Sequence, residues 1–188
     1  MLSAMATIEA HGLPQGRSLT RDDLDAMPDD GHRYELVDGV LVVSPAPRIR
    51  HQQVLAQLFR VLDAVVAEPL KLYFAPVDVV LSNDTVLQPD LLVADRDAFT
   101  ERDLPGPPLL AAEVLSPSTR SFDLLLKKER LERAGCAHYW VVDPDEPSIT
   151  AWSLTDGVYR EVARAAGTEP FAVTAPFAVE ITPTELVR

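Results

Sequence analysis

Between residues 51 and 142 the spacing of apolar residues switches from helical to strand-like, back to helical, and again to strand-like. That succession limits the fold more than any single motif. Val54, Leu58, Val61, Leu62 and Val65 recur every three or four positions, the period of one buried helix face, which predicts a helix over residues 51–67. Pro69 closes it. Three apolar runs with strand character follow, over residues 72–81, 86–94 and 109–115, separated by Asn83-Asp84 and by the proline- and glycine-rich stretch 105–108. Ser118-Thr119 then offers an N-cap, and a second helix runs to Ala134, with Gly135 standing where a C′ stop favours glycine. Residues 138–142 read as a buried strand. Helix, three strands, helix, strand predicts an α/β fold, a mixed central sheet flanked by helices.

Hairpins flank this core. Two β-rich runs surround Asp38-Gly39 within residues 33–43, and two more surround Asp156-Gly157 within 149–163. Asp-Gly between such runs is the strongest short hairpin signal. Thr20 before Asp22, Asp23 and Asp25 predicts a short capped helix with acids in its first turn. Residues 1–19 read as a loose arm, residues 20–188 as a single domain, and the tail after Gly167 as proline-punctuated extended chain. A length of 188 residues suits one core. With 47% apolar and 24% charged residues the composition is that of a globular protein, not a disordered one. The start, MLSAMATIEA, lacks the basic end and long apolar core of a signal peptide. No apolar run reaches the ~18 residues that cross a bilayer, and Cys136 has no partner for a disulfide. A cytoplasmic, membrane-free protein is expected.

Three carboxylates lie where strands would bury them. Asp90 sits within 87–93, Glu113 is the one polar residue within 109–115, and Glu35 stands between Tyr34 and Leu36. A buried carboxylate must be paired, protonated or metal-bound, because an unpaired buried charge is very costly. A salt bridge, or a place at a wet strand end, would account for any one of them. Three in one small domain point to a site. The second helix carries the matching cation. At ~100° per residue, Arg120, Asp123, Leu124, Lys127, Leu131 and Ala134 share one face, and Lys128 is turned away as the solvated lysine. Lys127 can orient water or stabilise charge on a phosphate, or simply pack its stem while the ammonium reaches the surface. Both readings of Lys127 stay open at this point.

Asp90 after a proline, Glu113 on the next strand and a nearby lysine resemble the PD-(D/E)XK nuclease superfamily. The ordered set of residues 34–39 (YELVDG), 44–47 (SPAP), 50–52 (RHQ), 88–91 (QPDL), 113–119 (EVLSPST), Gly135 and 139–143 (YWVVD) is similar to the Uma-two family of restriction-endonuclease-like proteins, over about residues 20–165. The resemblance implies a restriction-endonuclease-like core, with the two hairpins as extensions. It also implies that Asp90, Glu113 and the main-chain carbonyl of Val114 hold a divalent metal, and that Glu35 and Lys127 join Asp90 and Glu113 in catalysis. The superfamily's lysine normally lies two residues after the second acid. Here that position is Leu115, so Lys127 would be a migrated substitute.

Oxygen ligands and the lack of a cysteine cluster favour Mg²⁺ or Mn²⁺ over zinc. The activity expected is hydrolysis of DNA phosphodiester bonds, with His51, Gln88 and Arg120 as candidate substrate contacts. For His51 a plain surface position is the simpler expectation. Trp140 and Cys136 are expected in the core. Seventeen basic against 29 acidic residues give a net charge of −12, which opposes binding to a phosphate backbone. Locally, residues 120–133 hold five basic against three acidic side chains, and Arg48, Arg50 and His51 add a second positive spot. Two other classes remain: a catalytically silent protein that keeps the fold for a protein partner, and a hydrolase of small phosphoesters, which would need a closed pocket. Strand edges to be covered predict a homodimer.

Overall fold

Proline decides how the strand runs are cut. It has no N–H to give to a ladder, and Pro76 and Pro89 each interrupt one of the expected strands. In the computed structural model, which describes residue 14 and residues 16–188, the run 72–81 is accordingly two strands, β3 (Leu70–Phe74) and β4 (Asp78–Ser82). The run 86–94 is likewise β5 (Thr85–Leu87) and β6 (Leu91–Asp95). At each proline the chain passes from one sheet to another.

The first sheet has the order β2-β1-β5-β4-β7, with β1 Arg33–Val37, β2 Val40–Ser44 and β7 Asp103–Pro105. The second has the order β11-β10-β9-β8-β6-β3, with β8 Leu110–Val114, β9 His138–Asp143, β10 Ser148–Thr155 and β11 Val158–Ala166. Within the second sheet β8 and β9 are parallel and the other pairs antiparallel. The first helix, α1 (Arg21–Asp25), is capped as expected, the Asp23 carboxylate accepting the Thr20 N–H at 2.8 Å. The helix α2 (Ile49–Asp63) covers one face of the second sheet. The other face carries a helical segment whose middle, Phe122–Lys127, is wound as a π-helix before α3 (Lys128–Ala134). The expected order therefore survives as α2, β3, β6, β8, helix, β9. The expected mixed sheet flanked by helices is the second sheet, and the N-terminal hairpin belongs to the first, which is an additional sheet.

Both Asp-Gly pairs make two-residue turns with positive φ at each residue, the geometry that suits a twisted hairpin. Asp38 has φ 50° and Gly39 76°. Gly39 is required twice over, since a Cβ there would stand 2.5 Å from the Ser18 Cβ. The Leu19 N–H donates to the Gly39 carbonyl at 2.9 Å and its side chain packs with Leu36 and Val86. The end of the expected arm is thus docked, while residues 1–13 and 15 of it lie outside the described residues.

Alternation along the strands builds two cores. Leu91, Val93, Leu110, Ala112, Val114, Trp140 and Val142 meet Val54, Leu58 and Leu62 of α2. On the opposite face Ala111, Leu115, Tyr139 and Val141 meet Leu131 of α3, with Val37 and Leu87 from the first sheet. The tail departs from expectation. It forms β12 (Phe171–Val173), β13 (Val179–Ile181) and α4 (Pro183–Leu186), and buries Phe171, Ile181 and Leu186 in the first of these cores. Phe171 meets Trp140 edge-on at 5.3 Å between ring centroids, a favourable aromatic geometry. No helix among the described residues is long and apolar enough to cross a membrane.

Candidate active site at the junction of the two sheets

Successive strand residues face opposite ways, so Glu113 shares its face with Ala111 and Leu115 and points toward the π-helical segment. Glu35 on β1 points the same way as Val37, into the gap between the sheets. Asp90 lies where the chain crosses from β5 to β6. Lys127 stands one turn before the buried Leu131 and projects into the same gap. The acids thus come from the first sheet, the crossing and the second sheet, and the helix closes over them.

Lys127 Nζ lies 2.9 Å from Glu35 Oε1, 3.1 Å from Glu113 Oε1 and 3.7 Å from Asp123 Oδ1. The backbone ties the acids to each other. The Asp90 N–H donates to Glu113 Oε2 at 3.3 Å, the Gln88 N–H to Glu35 Oε1 at 2.7 Å, and the Val114 N–H to Asp90 Oδ2 at 2.9 Å. His51 Nε2 is 3.1 Å from the same Asp90 oxygen, and Arg33 Nη1 donates to Asp90 Oδ1 at 2.9 Å. Glu35, Asp90, Glu113, Asp123 and Lys127 are each 4% exposed or less, so these contacts operate away from bulk water.

Four carboxylates around two permanent cations leave negative charge in excess. Burial pushes the Glu113 carboxyl well above its ordinary value, against the pull of Lys127, and neighbouring Asp90 and Asp123 push the same way. Asp123 is raised for the same main reason. For Asp90 burial is outweighed by the His51 hydrogen bond and the Arg33 charge, which hold it well below the usual carboxylate range. Burial would lower Lys127, but Glu113 and Glu35 more than reverse that, so it stays an ammonium.

The structure brings Glu35, Asp90, Glu113 and Lys127 together, with the Val114 main chain alongside. His51 is not the surface residue expected: it is buried near the start of α2 and held by Asp90. Gln88 borders the cluster, its side-chain amide donating to Asp78 Oδ1 at 2.8 Å. Arg120 lies outside, half-exposed, with Nη1 on Asp143. The face expected for residues 120–134 holds for Asp123, Lys127 and Leu131, which are all buried, and Arg120 departs from it, ahead of the π-helical turn. Lys128 also differs from expectation: its ammonium lies 4.1 Å over the Trp152 ring rather than free in water. Trp140 and Cys136 are buried as expected. Sequence reasoning missed Arg33. Its signal was available, since a residue two before Glu35 shares the Glu35 face of a strand.

Whether a metal suits these residues can be judged from the donors. Carboxylates and a main-chain carbonyl are hard oxygen ligands of the kind Mg²⁺ and Mn²⁺ prefer. Glu35 Oε2 is buried without a hydrogen-bond partner, and the cluster's excess negative charge matches a cation. The set fits. Among the described residues no three histidine, cysteine or carboxylate side chains already converge on one point as ligands, and Arg33, His51 and Lys127 engage oxygens of Asp90 and Glu113.

Acids from two sheets and the crossing between them, gathered with a helix lysine on a helix, three strands, helix, strand core, define a restriction-endonuclease-like α/β protein. The chain belongs to the Uma2 family, described as "Putative restriction endonuclease", whose profile matches residues 21–184. Its fold is similar to the crystal structure of "a putative nuclease belonging to DUF820" from Anabaena variabilis ATCC 29413. The TM-score is 0.71 at 18% identity, covering 90% of this chain and 97% of that one. No curated protein matches at a significant level.

Proposed function

We propose that this chain is a metal-dependent endonuclease that hydrolyses DNA phosphodiester bonds. Asp90, Glu113 and the Val114 carbonyl would hold Mg²⁺ or Mn²⁺, with Glu35 and Lys127 completing the catalytic set. One observation carries the reading: Lys127, fourteen positions beyond the second acid, still reaches Glu113 and Glu35 although Leu115 fills the usual lysine position. A purely structural helix lysine has no need to be 2% exposed between two strand acids.

A bound divalent cation supplies Lewis-acid activation of water and offsets charge at the phosphate. The chain's own residues do the rest. His51 and the Val114 N–H fix the Asp90 carboxylate, and the Asp90 N–H fixes Glu113, so the donors are oriented in advance. Lys127 holds a full positive charge in a dry site, where it stabilises developing negative charge far better than in water. The net charge of −12 leaves local basic groups such as Arg48, Arg50 and Arg120 to meet the phosphates, so binding should weaken steeply with salt.

A silent scaffold is the competing reading, favoured by the Arg33 and His51 contacts that already engage both Asp90 oxygens. Incubation with plasmid, linear and single-stranded DNA, with Mg²⁺, Mn²⁺ or chelator, tests the proposal. Metal-dependent cleavage by wild type that is lost in Asp90→Ala is expected. No cleavage of any form under any of these conditions refutes it.

A further inference from the structure

Arg33 is the cation of this cluster that reaches the outside. Its side chain is 25% exposed, against 2% for Lys127. From the first position of β1 its guanidinium lies between the two sheets. Nη1 donates to Asp90 Oδ1 at 2.9 Å, and Nη2 donates to the Gln88 carbonyl and stands 3.7 Å from Glu35 Oε2. Nε is buried without a partner, as is Glu35 Oε2. An arginine placed permanently on a carboxylate settles there with two parallel bonds. Arg33 instead makes one bond to Asp90, one to a carbonyl, and leaves its third kind of donor idle. Lys127 is different in kind, being almost fully buried among three carboxylates.

The guanidinium stands between Glu35 and Asp90, and it occupies Oδ1 of Asp90, one of the carboxylates that would hold the divalent cation. We infer that Arg33 is a built-in counter-cation, which positions Asp90 and Glu35 in the metal-free protein and gives way to Mg²⁺ or Mn²⁺ when either binds. This rests on the metal-dependent reading above. It makes Arg33 a positioning residue that competes with the metal, so affinity is lowered by the contact that keeps the empty site intact.

Calorimetric titration with Mg²⁺ of wild type, Arg33→Gln and Asp90→Asn reads the competition directly. Arg33→Gln should bind about tenfold more tightly or better, the effect of removing one nearby positive charge in a partly dry site, while its metal-free form melts at a lower temperature than wild type. Asp90→Asn should not bind. The departure itself is read by ¹⁵N spectra of arginine-labelled protein, in which the Arg33 Nε–Hε signal, assigned by its loss in Arg33→Lys, should move with Mg²⁺ at the midpoint found by calorimetry. Binding by Arg33→Gln alone would support the inference most strongly. Equal affinity of wild type and Arg33→Gln, or an Arg33 signal indifferent to Mg²⁺ that binds, overturns it and leaves the metal reading standing. Absence of binding in both wild type and Arg33→Gln removes the metal reading and this inference together.

Discussion

Replacing Lys127 by methionine keeps the stem and removes the ammonium, which makes it the sharpest probe of the junction. Nζ lies 2.9 Å from Glu35 and 3.1 Å from Glu113. At an effective dielectric constant of ~20 each such contact is worth between ~5 and ~6 kcal/mol before burial is counted. Burial takes back several kcal/mol per ion, and removing one partner of a buried pair has a net cost of about 3–5 kcal/mol. For a chain of this length that corresponds to a melting temperature lower by roughly 6–20 °C. Lys128→Met is the internal control. Its ammonium is half-buried over Trp152, a contact of about 0.5–1 kcal/mol, or roughly 1–4 °C. Both variants can be melted by circular dichroism beside wild type at neutral pH. Equal losses for the two neighbouring lysines would refute the electrostatic account of the junction.

Two further outcomes are expected. Phe171→Ala should destabilise by about 3–5 kcal/mol, read as a lower urea midpoint at unchanged slope, because Phe171 is 1% exposed against Trp140; a loss below about 1 kcal/mol would mean the tail is not part of the core. Arg120→Ala tests a pH effect. Burial raises the Asp143 carboxyl, but Arg120 and the N–H groups of Glu146 and Asp145 outweigh it and hold it below its ordinary value. A depressed folded-state value stabilises above the unfolded value, ~3.9, and that contribution is lost as pH falls through the folded one. Arg120 is half-exposed, so screening keeps the loss in Arg120→Ala to about 1 kcal/mol or less at pH 7. The gap to wild type should narrow below about pH 4, and a gap that widens in acid would contradict the assignment.

What could be read in the sequence was whatever has a local cause. Asp38-Gly39 announces a turn because few other pairs tolerate two positive φ values. Asp90, Glu113 and Glu35 announce a site because an acid inside an apolar run must find a partner, and Lys127 follows from its place one turn before Leu131. The remainder depends on distant chain. Pro76 and Pro89 show that a ladder must break, but which sheet each fragment joins is settled by partners elsewhere. Arg33 shares the Glu35 face of its strand, but its contact with Gln88 and Asp90 depends on the crossing being brought against it. Residues 122–127 have an unremarkable helical pattern, and their π-helical winding has no local mark. Phe171, Ile181 and Leu186 follow no period, so their burial shows only once α2 and β9 supply a surface to cover.

The placement of the acids at a junction between sheets also bears on the order in which the chain folds. Arg33 and Asp90 are 57 residues apart in sequence, and the Arg130–Asp38 pair, which ties α3 to the first hairpin, spans 92. Closing loops of that size costs entropy that only later contacts return. The β1–β2 and β10–β11 hairpins have no such burden and can form on their own. Glu35, Asp90 and Glu113 then stay hydrated until the two sheets meet and Lys127 arrives, since dehydrating them earlier would strand bare charge. Closure of the junction is therefore expected as a late, cooperative step. A nascent chain emerging from the ribosome must expose residue 127 before Glu35, Asp90 and Glu113 can leave water.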